Sequence, residues 1–599
     1  MKRNFKISFL FCGVIFCFLL IACPVFDSSS FNENWGGKTV SWDYSEGDTP
    51  VFELTSDIEY VNLSFKEPVD VFMVNMNFSD NIIYKDYNQY YIPEEDSRSV
   101  LNSTLLPINK NVVSNLSKEK NSGEILRKHV SPDRFVPDLS KISFSKKDTT
   151  PLSAVLKSTT STLSSSVVTD YEIGDQKYIW IDLSIDENEF YEAPATLCAV
   201  GDHCYVWVVD EYYSINEKES FITKSQAEEI KETFEMLYPL VTDVFGKESN
   251  QLMHYTTSSY YERPVLLDMS EGSDTGEMIN IVIYDIDSDY ERNQESGVLG
   301  YFKASDYYST VIADAYENEL GENIYTNVGK YFYIDSYFAT AHEKMTYSTL
   351  AHEFQHMINF GNKTIPTYET SKMVVSDVWY TEMLSMLAED MLQVKLEIDD
   401  KNSPVSRLNA FCVGYYLSGI NQWLEGNEVI YSYANTYAFG AYLARNFGGA
   451  ALVKEIAQND YVDIKSITKA LQSMGYEETF ESVFEKYIQA VFLDNPPSGA
   501  EVSFCKDAPL FSPVSSSYRY PMKEIDIFAI PWIIGNQEGK GPVVVYAEKE
   551  NRIDLAPYSF MGFYIGSSDK AGSVDLQFSR SKNSKAKTYL LIQPSKQYK

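Results

Sequence analysis

The sequence predicts an α+β protein in which a helical stretch lies between two β-rich segments. From about residue 38 to 125, apolar and polar residues alternate between Asp, Asn and Pro breaks, which is typical of strands. From about 347 to 495, nearly every pattern has the spacing of a helix. Strand patterns return from about 505, and a chain of 599 residues usually forms two or three domains.

The first 22 residues are predicted to be a signal peptide. Lys2, Arg3 and Lys6 precede an apolar run, Ile7 to Ala22, that is short for a membrane span. The run ends in Leu-Ile-Ala-Cys, which resembles a bacterial lipobox, so lipidation of Cys23 is expected. We therefore predict an exported protein, lipid-anchored at the periplasmic or cell-surface face of a bacterial membrane. An amino-terminal membrane helix is the alternative.

The acidic composition limits the partners of the chain. It carries 50 basic and 85 acidic residues, a net charge of −35. Loss of the three basic residues of the signal peptide would make the charge −38. Nucleic acid and an anionic membrane surface would repel such a chain, so nucleic acid is excluded as a partner.

Four cysteines remain beyond the lipidation site, in a compartment that permits disulfides. The stretch LCAVGDHCYVWVV is typical of two short strands around a Gly-Asp turn. A Cys198–Cys204 disulfide is therefore predicted across this hairpin. A Cys412–Cys505 disulfide follows only by elimination.

The segment TYSTLAHEFQHMINFGNK, residues 346–363, predicts a helix. Thr346 or Ser348 can cap its start and Gly361 can end it. Between them, apolar residues recur at helical spacing.

This helix holds two of the six histidines in the chain. His352 and His356 are one turn apart and project to the same side, so they can bind one ion. Glu353 flanks that ion without having to bind it. Two neutral imidazoles, with a carboxylate that can accept a proton from water, are what zinc-dependent hydrolysis needs. An ordinary helix with two surface or core histidines is the alternative.

A catalytic zinc ion of this type needs a third protein ligand. No histidine follows His356, so a downstream ligand must be Asp or Glu. The stretch Ser376 to Met391 is typical of the next helix, and Glu382 sits about two turns into it. An antiparallel neighbouring helix would bring Glu382 back to the ion, and Glu389 on the same face is the competitor.

The motifs AHEFQHMINF and VWYTEMLSMLAED resemble the gluzincin metallopeptidases, and in particular the hyicolysin family. The resemblance covers roughly residues 175 to 500. It implies a catalytic domain with a small β-sheet and a helical lobe. It also implies that zinc is bound by His352, His356 and Glu382, with Glu353 as the general base.

One position departs from this resemblance. Thermolysin-like gluzincins carry an acidic residue four positions after the ligand glutamate, where it orients the first histidine, and here that position is Met386. Asp377 and Glu389 are the candidates for the missing contact. Tyr437, with Tyr433 close behind, is the candidate donor to the oxyanion of the transition state, because no histidine follows the motif.

Two weaker patterns favour structural interpretations. GEMIN, residues 276–280, resembles the substrate-amine motif of zinc aminopeptidases, but Ile279 replaces its glutamate, so an endopeptidase is favoured. The stretch Asp285 to Asp289 alternates like a calcium loop. Tyr290 stands where such a loop needs glycine, so calcium is only a weak possibility.

The sequence thus predicts a zinc endopeptidase that cleaves proteins or peptides outside the cytoplasm. The alternative is a non-catalytic surface adhesin or binding lipoprotein on a peptidase scaffold. Four regions are expected after the signal peptide: an N-terminal β-rich domain (24–144), a Ser/Thr-rich linker (145–170), the catalytic domain (171–500) and a C-terminal β-rich domain (501–599).

Overall fold

A computed structural model describes most of the chain from residue 37 onward. The described ranges are 37–45, 48–79, 83–91, 126–130, 168–185, 189–214, 221–258, 261–290, 296–321, 323–370, 372–493, 504, 518–534, 537–546, 551–580 and 586–595. The predicted signal peptide, the lipidation site Cys23 and nearly all of the predicted linker lie outside these ranges.

The described strands alternate with helices only in the middle of the chain. The strands are β1 (Lys38–Tyr44), β2 (Val51–Glu53), β3 (Ile58–Phe65), β4 (Val69–Met76), β5 (Ile83–Tyr91), β6 (Leu126–Val130), β7 (Gln176–Ser184), β8 (Glu189–Val200), β9 (Cys204–Val209), β10 (Gln251–Ser258), β11 (Tyr261–Asp268), β12 (Ile279–Tyr284), β13 (Ser296–Phe302), β14 (Lys330–Asp335), β15 (Pro531–Ile534), β16 (Gln537–Lys540), β17 (Val545–Tyr546), β18 (Asn551–Leu555), β19 (Phe560–Ser568), β20 (Gly572–Arg580) and β21 (Lys587–Pro594).

The described α-helices concentrate between residues 336 and 492. They are α1 (Lys224–Phe245), α2 (Met269–Gly272), α3 (Thr310–Leu320), α4 (Ser336–Ala341), α5 (Glu343–Asn359), α6 (Val378–Gln393), α7 (Leu408–Gly414), α8 (Val429–Asn446), α9 (Ala450–Gln458), α10 (Asp463–Ser473) and α11 (Phe480–Phe492). Helices and strands together agree with the predicted α+β class.

The central part of the chain is built on a seven-stranded sheet in the order β6-β13-β14-β12-β9-β8-β7. The strands β9, β12 and β14 are parallel, whereas β13 is antiparallel to β14. The helix α5 lies directly on β13, because a Cβ atom at Gly300 would be 2.9 Å from Cγ2 of Thr349. The sheet therefore fixes the position of α5, which carries the His-Glu-x-x-His pattern.

The two ends of the chain form one β-sandwich, so the prediction of separate N-terminal and C-terminal β-rich domains is wrong. One sheet has the order β1-β3-β20-β5-β18 and the other β17-β19-β4-β21-β2. Both sheets therefore combine strands from before residue 92 with strands from after residue 544. Their apolar side chains share one core, in which Leu63, Met73, Phe563 and Leu590 are buried.

The β-sandwich packs closely against the helical part. Tyr415 stacks on Phe560 of β19 with 5.0 Å between ring centroids. A Cβ atom at Gly419 would lie 1.5 Å from the carbonyl oxygen of Pro557, so only glycine fits there. The buried core continues across this boundary, and the two parts share apolar side chains.

The predicted hairpin forms, but the predicted Cys198–Cys204 disulfide does not. The strands β8 and β9 pair in antiparallel fashion, with a register shift at Cys198 that makes it an extra, bulged residue. Its thiol donates to the Thr196 carbonyl, whereas the Cys204 thiol contacts Glu235 on α1. Both thiols are free and buried. Cys412 is also a free buried thiol, and Cys505 lies outside the described residues.

Among the described residues, no helix combines the length and the apolar character needed to cross a bilayer.

Because the two ends of the chain share one sandwich, the N-terminal strands are predicted to need the C-terminal strands in order to stay folded. Removal of residues 551–599 should deprive β3, β4 and β5 of their neighbours and expose the sandwich core. We expect residues 37–91 to become protease-sensitive and the melting temperature of the chain to fall. Limited proteolysis with mass spectrometry checks this result. Loss of residues 596–599 alone is the control, and persistent resistance of residues 37–91 would mean that they fold independently.

Candidate metal centre

The helix α5 is longer than predicted. It begins at Glu343, and a π-helical turn over Phe360–Thr364 continues it beyond Gly361. Thr346 and Ser348 are buried inside the helix and do not cap its start. The helix is thus buried on nearly all sides, and each of its polar side chains needs a partner.

The side chains of the predicted metal ligands converge between α5 and α6, which run antiparallel. The Nε2 atom of His352 lies 3.1 Å from Nε2 of His356 and 3.1 Å from Oε2 of Glu382. The Nε2 atom of His356 lies 3.6 Å from Oε1 of Glu382. Ligands of a tetrahedral zinc ion lie about 3.3 Å apart, given metal–ligand distances of about 2.0–2.2 Å. The donor set therefore fits zinc in both chemistry and spacing.

Contacts behind the ligands fix the protonation of both imidazoles. Nδ1 of His352 lies 2.8 Å from Oε1 of Glu389, and the other Glu389 oxygen accepts from the Ser348 hydroxyl. Nδ1 of His356 lies 3.2 Å from the Ser385 hydroxyl, which itself donates to Gln355. With a metal bound, Nδ1 of each ring would keep its proton for these contacts, and Nε2 would be free to bind the metal.

Glu389 supplies the histidine contact that the sequence left open between two residues. Asp377 instead precedes the first residue of α6 and accepts from the Trp379 indole at 3.4 Å. Met386, at the position that is acidic in thermolysin-like enzymes, is a buried apolar side chain. The sequence pattern did not indicate Ser385, although it lies one helical turn after Glu382 and so faces the same side.

Without a metal, burial and the charges of neighbouring side chains determine the pKa values of His352, His356 and Glu382. Burial lowers the pKa of His352, but hydrogen bonds to Glu382 and Glu389 outweigh it and raise the pKa to about 10. Burial lowers the pKa of His356. Burial raises the pKa of Glu382, yet the neighbouring histidines bring it down to about 2. Without a metal, a protonated His352 therefore supplies the positive charge beside Glu382 and Glu389.

The hydroxyl of Tyr437, the predicted oxyanion donor, is already engaged in another hydrogen bond. Its hydroxyl donates to Oδ2 of Asp390 at 3.1 Å, and Asp390 also forms a two-pronged ion pair with Arg445 at 2.8 and 3.1 Å. These side chains are buried between α6 and α8. A role for Tyr437 as oxyanion donor would require it to leave this network, so the contact argues against that prediction. The ring of Tyr433 contacts the guanidinium of Arg407.

The two weaker patterns are structural in the described chain. Gly276 forms a turn with positive φ, and Ile279 opens β12 as a buried strand residue. Asp285 to Asp289 form a short 3-10 turn. Within the described residues, the one group of three such side chains with metal-binding spacing is His352, His356 and Glu382, so calcium at the acidic turn stays a prediction.

The fold and the donor set define a class of protein. A pair of histidines one turn apart, a carboxylate from the next helix and an unligated glutamate beside them are typical of mononuclear zinc hydrolases.

Comparisons with known proteins show similarity to metallopeptidases in the region around the site. Residues 264–510 match the Peptidase M30 family, and this range contains all four of these side chains. The chain is also 28% identical over 327 residues to neutral metalloprotease ShpI of Staphylococcus hyicus. That match covers 53% of this chain and 61% of the relative. The region around the site is therefore similar to Peptidase M30 and to a known metalloprotease, in agreement with the resemblance of its motifs.

The contact between Glu389 and His352 predicts that removal of the Glu389 side chain lowers the affinity for zinc. Glu389→Ala should weaken zinc binding by about 10- to 100-fold, because His352 loses the partner that fixes its ring and tautomer. Competition with a zinc chelator measures the affinity. Asp377→Ala is the matched control and should change it little. An equal effect of both substitutions would show that Glu389 has no special part in holding His352.

The protonation of the metal-free cluster predicts a pH dependence of zinc binding. With a His352 pKa of about 10, binding near neutral pH should release about one proton from this imidazole. Zinc affinity should then rise by up to about tenfold per pH unit between pH 6 and 9. Calorimetry in buffers of different ionisation enthalpy counts the protons. Affinity that does not change with pH would mean that His352 is already neutral.

Proposed function

We propose that this chain is a zinc-dependent endopeptidase of the gluzincin type that hydrolyses proteins or peptides outside the cytoplasm. The convergence of His352, His356 and Glu382, with Glu353 on the same helix, is the observation that carries the proposal. Zinc bound there would make a coordinated water more acidic and polarise the peptide carbonyl.

The other residues of the site support this chemistry in two ways: they orient the histidines, and they transfer a proton. Glu389 and Ser385 keep Nε2 of each histidine aimed at the metal position. Glu353 accepts the proton of the attacking water as the carbon–oxygen bond forms. It then returns that proton to the leaving amine nitrogen as the peptide carbon–nitrogen bond breaks.

The surroundings of Glu353 suit a general base. Burial raises the pKa of Glu353 to about 8, while the charge of His352 and the backbone N–H of Phe302 act in the opposite direction. A divalent cation held by His352, His356 and Glu382 would lower the pKa of Glu353 further, towards the neutral range in which a base is most effective.

The location and the substrates follow from the predicted amino terminus. The predicted lipidation at Cys23 would anchor the enzyme to a membrane outside the cytoplasm, where other proteins and peptides are its substrates. The matched region spans about three fifths of the relative's length, so the activity of the whole chain is part of the proposal. A binding lipoprotein would have no chemical need for Glu353, which favours the enzyme.

The role of Glu353 predicts a variant that binds zinc without cleaving. Glu353→Gln should retain about one zinc ion per chain, because its side chain is not a ligand, and lower casein hydrolysis by about 10²- to 10⁴-fold. Zinc content by mass spectrometry and the rate of casein cleavage measure both. A chelator should abolish the activity of the parent chain.

Glu343→Gln is the matched control, since Glu343 is an exposed residue of the same helix. It should leave both zinc content and cleavage unchanged. Full activity of the Glu353→Gln variant would overturn the mechanism. Zinc binding without cleavage by the parent chain or by any variant would favour the binding lipoprotein.

A further inference from the structure

The proposed active site is closed in this structure. His352, Glu353 and Glu382 have no exposed surface, and His356 is 1% exposed. An endopeptidase has to bring a peptide backbone up to these side chains. In this arrangement no peptide can contact them, so the chain has to rearrange before a substrate binds.

The strand β6 borders the site along the outer edge of β13. It pairs with β13 in parallel, from Leu126 opposite Ser296 to Val130 opposite Tyr301. The next residue of β13, Phe302, donates its backbone N–H to the Glu353 carboxylate. The end of β6 thus lies beside the stretch of β13 that contacts the proposed base.

The same strand reaches the other side of the site. The backbones of β6 and α8 approach within 8 Å between Cα atoms. The helix α8 packs against α6, which carries Glu382, whereas β13 packs against α5, which carries the histidines. The strand β6 therefore contacts the neighbours of both helices that form the metal centre.

We propose that residues 126–130 occupy the sheet edge to which an extended substrate would bind, and that they keep the enzyme latent until displaced. The inference rests on the proposed function. An extended peptide gains main-chain hydrogen bonds by adding to an exposed strand, so β6 and a substrate compete for the same donors and acceptors of β13. A five-residue parallel strand at a sheet edge is a weak enough competitor to be displaced.

A binding assay tests the occupancy without relying on catalysis. In a variant, Gly-Ser-Gly-Ser-Gly replaces residues 126–130, and the same replacement at residues 155–159, in the predicted linker, is the control. Both also carry Glu353→Gln. A fluorescent peptide of residues 123–131, GEILRKHVS, should bind the first variant and bind the control at least about tenfold more weakly, because β6 fills the edge there. Equal binding would overturn the inference.

An activity assay tests the latency. In zinc-loaded chains with Glu353 restored, the 126–130 replacement should cleave a quenched fluorescent peptide at least about tenfold faster than the control, and peptide 123–131 should reverse the gain. Equal and substantial activity of both chains would overturn the latency and leave the proposed peptidase intact. No cleavage by either chain would count against the proposed function, and the latency would fall with it.

Two proline substitutions separate loss of pairing from general damage. Successive residues of a strand direct their N–H groups to opposite sides, so only one of Arg127 and Lys128 donates towards β13. One of Arg127→Pro and Lys128→Pro should therefore activate the enzyme, and the other should be close to the parent. Equal effects of the two would contradict a role for this pairing.

Discussion

The structure around the metal centre depends on the burial of three carboxylates and two imidazoles where water is excluded. Glu353, Glu382 and Glu389 would repel one another there unless positive charge lies among them. Without a metal, the raised pKa of His352 supplies one such charge. A divalent cation held by His352, His356 and Glu382 would supply more positive charge than one protonated imidazole, and it would offset the Glu353 carboxylate as well. Metal binding would therefore also stabilise the packing of α5 on α6, because the same charge offsets the carboxylates buried between the two helices.

The helix α6 is held by neighbouring acidic residues that point in different directions. Glu389 faces α5 and binds His352, whereas Asp390 faces α8 and forms the buried ion pair with Arg445. A rotation of α6 about its axis would break both contacts and leave buried charges without partners. This arrangement explains why Tyr437 donates to Asp390, since that hydrogen bond completes the ion pair instead of serving a substrate. Because Glu382 lies on the same helix, these two contacts also fix its position.

The sequence predicted the site better than the architecture, because the site depends on local spacing. One helical turn brings His352 next to His356, and the antiparallel second helix places Glu382 within reach. The predicted start of α5 was wrong, because Ser348, a good capping residue, lies inside the helix and donates to Glu389 instead. Its predicted end was wrong because a π-helical turn continues the helix past Gly361. Strand partners are chosen by contacts hundreds of residues apart, so alternating patterns could not reveal that the two ends of the chain share one sandwich. Nor could spacing reveal the bulge that turns Cys198 away from Cys204.

The shared sandwich also constrains how the metal centre can open. The strands β1 to β5 are held by strands from the C-terminal end, so a cut anywhere in residues 131–167 would not free the N-terminal part. The strand β6 would remain tethered beside β13, and its effective concentration there would stay high. After such a single cut, access to the site would still require displacement of β6 by a competing strand; only a second cut between β5 and β6 would release it. Long extended substrates, which gain the most main-chain hydrogen bonds along β13, are those best able to displace it.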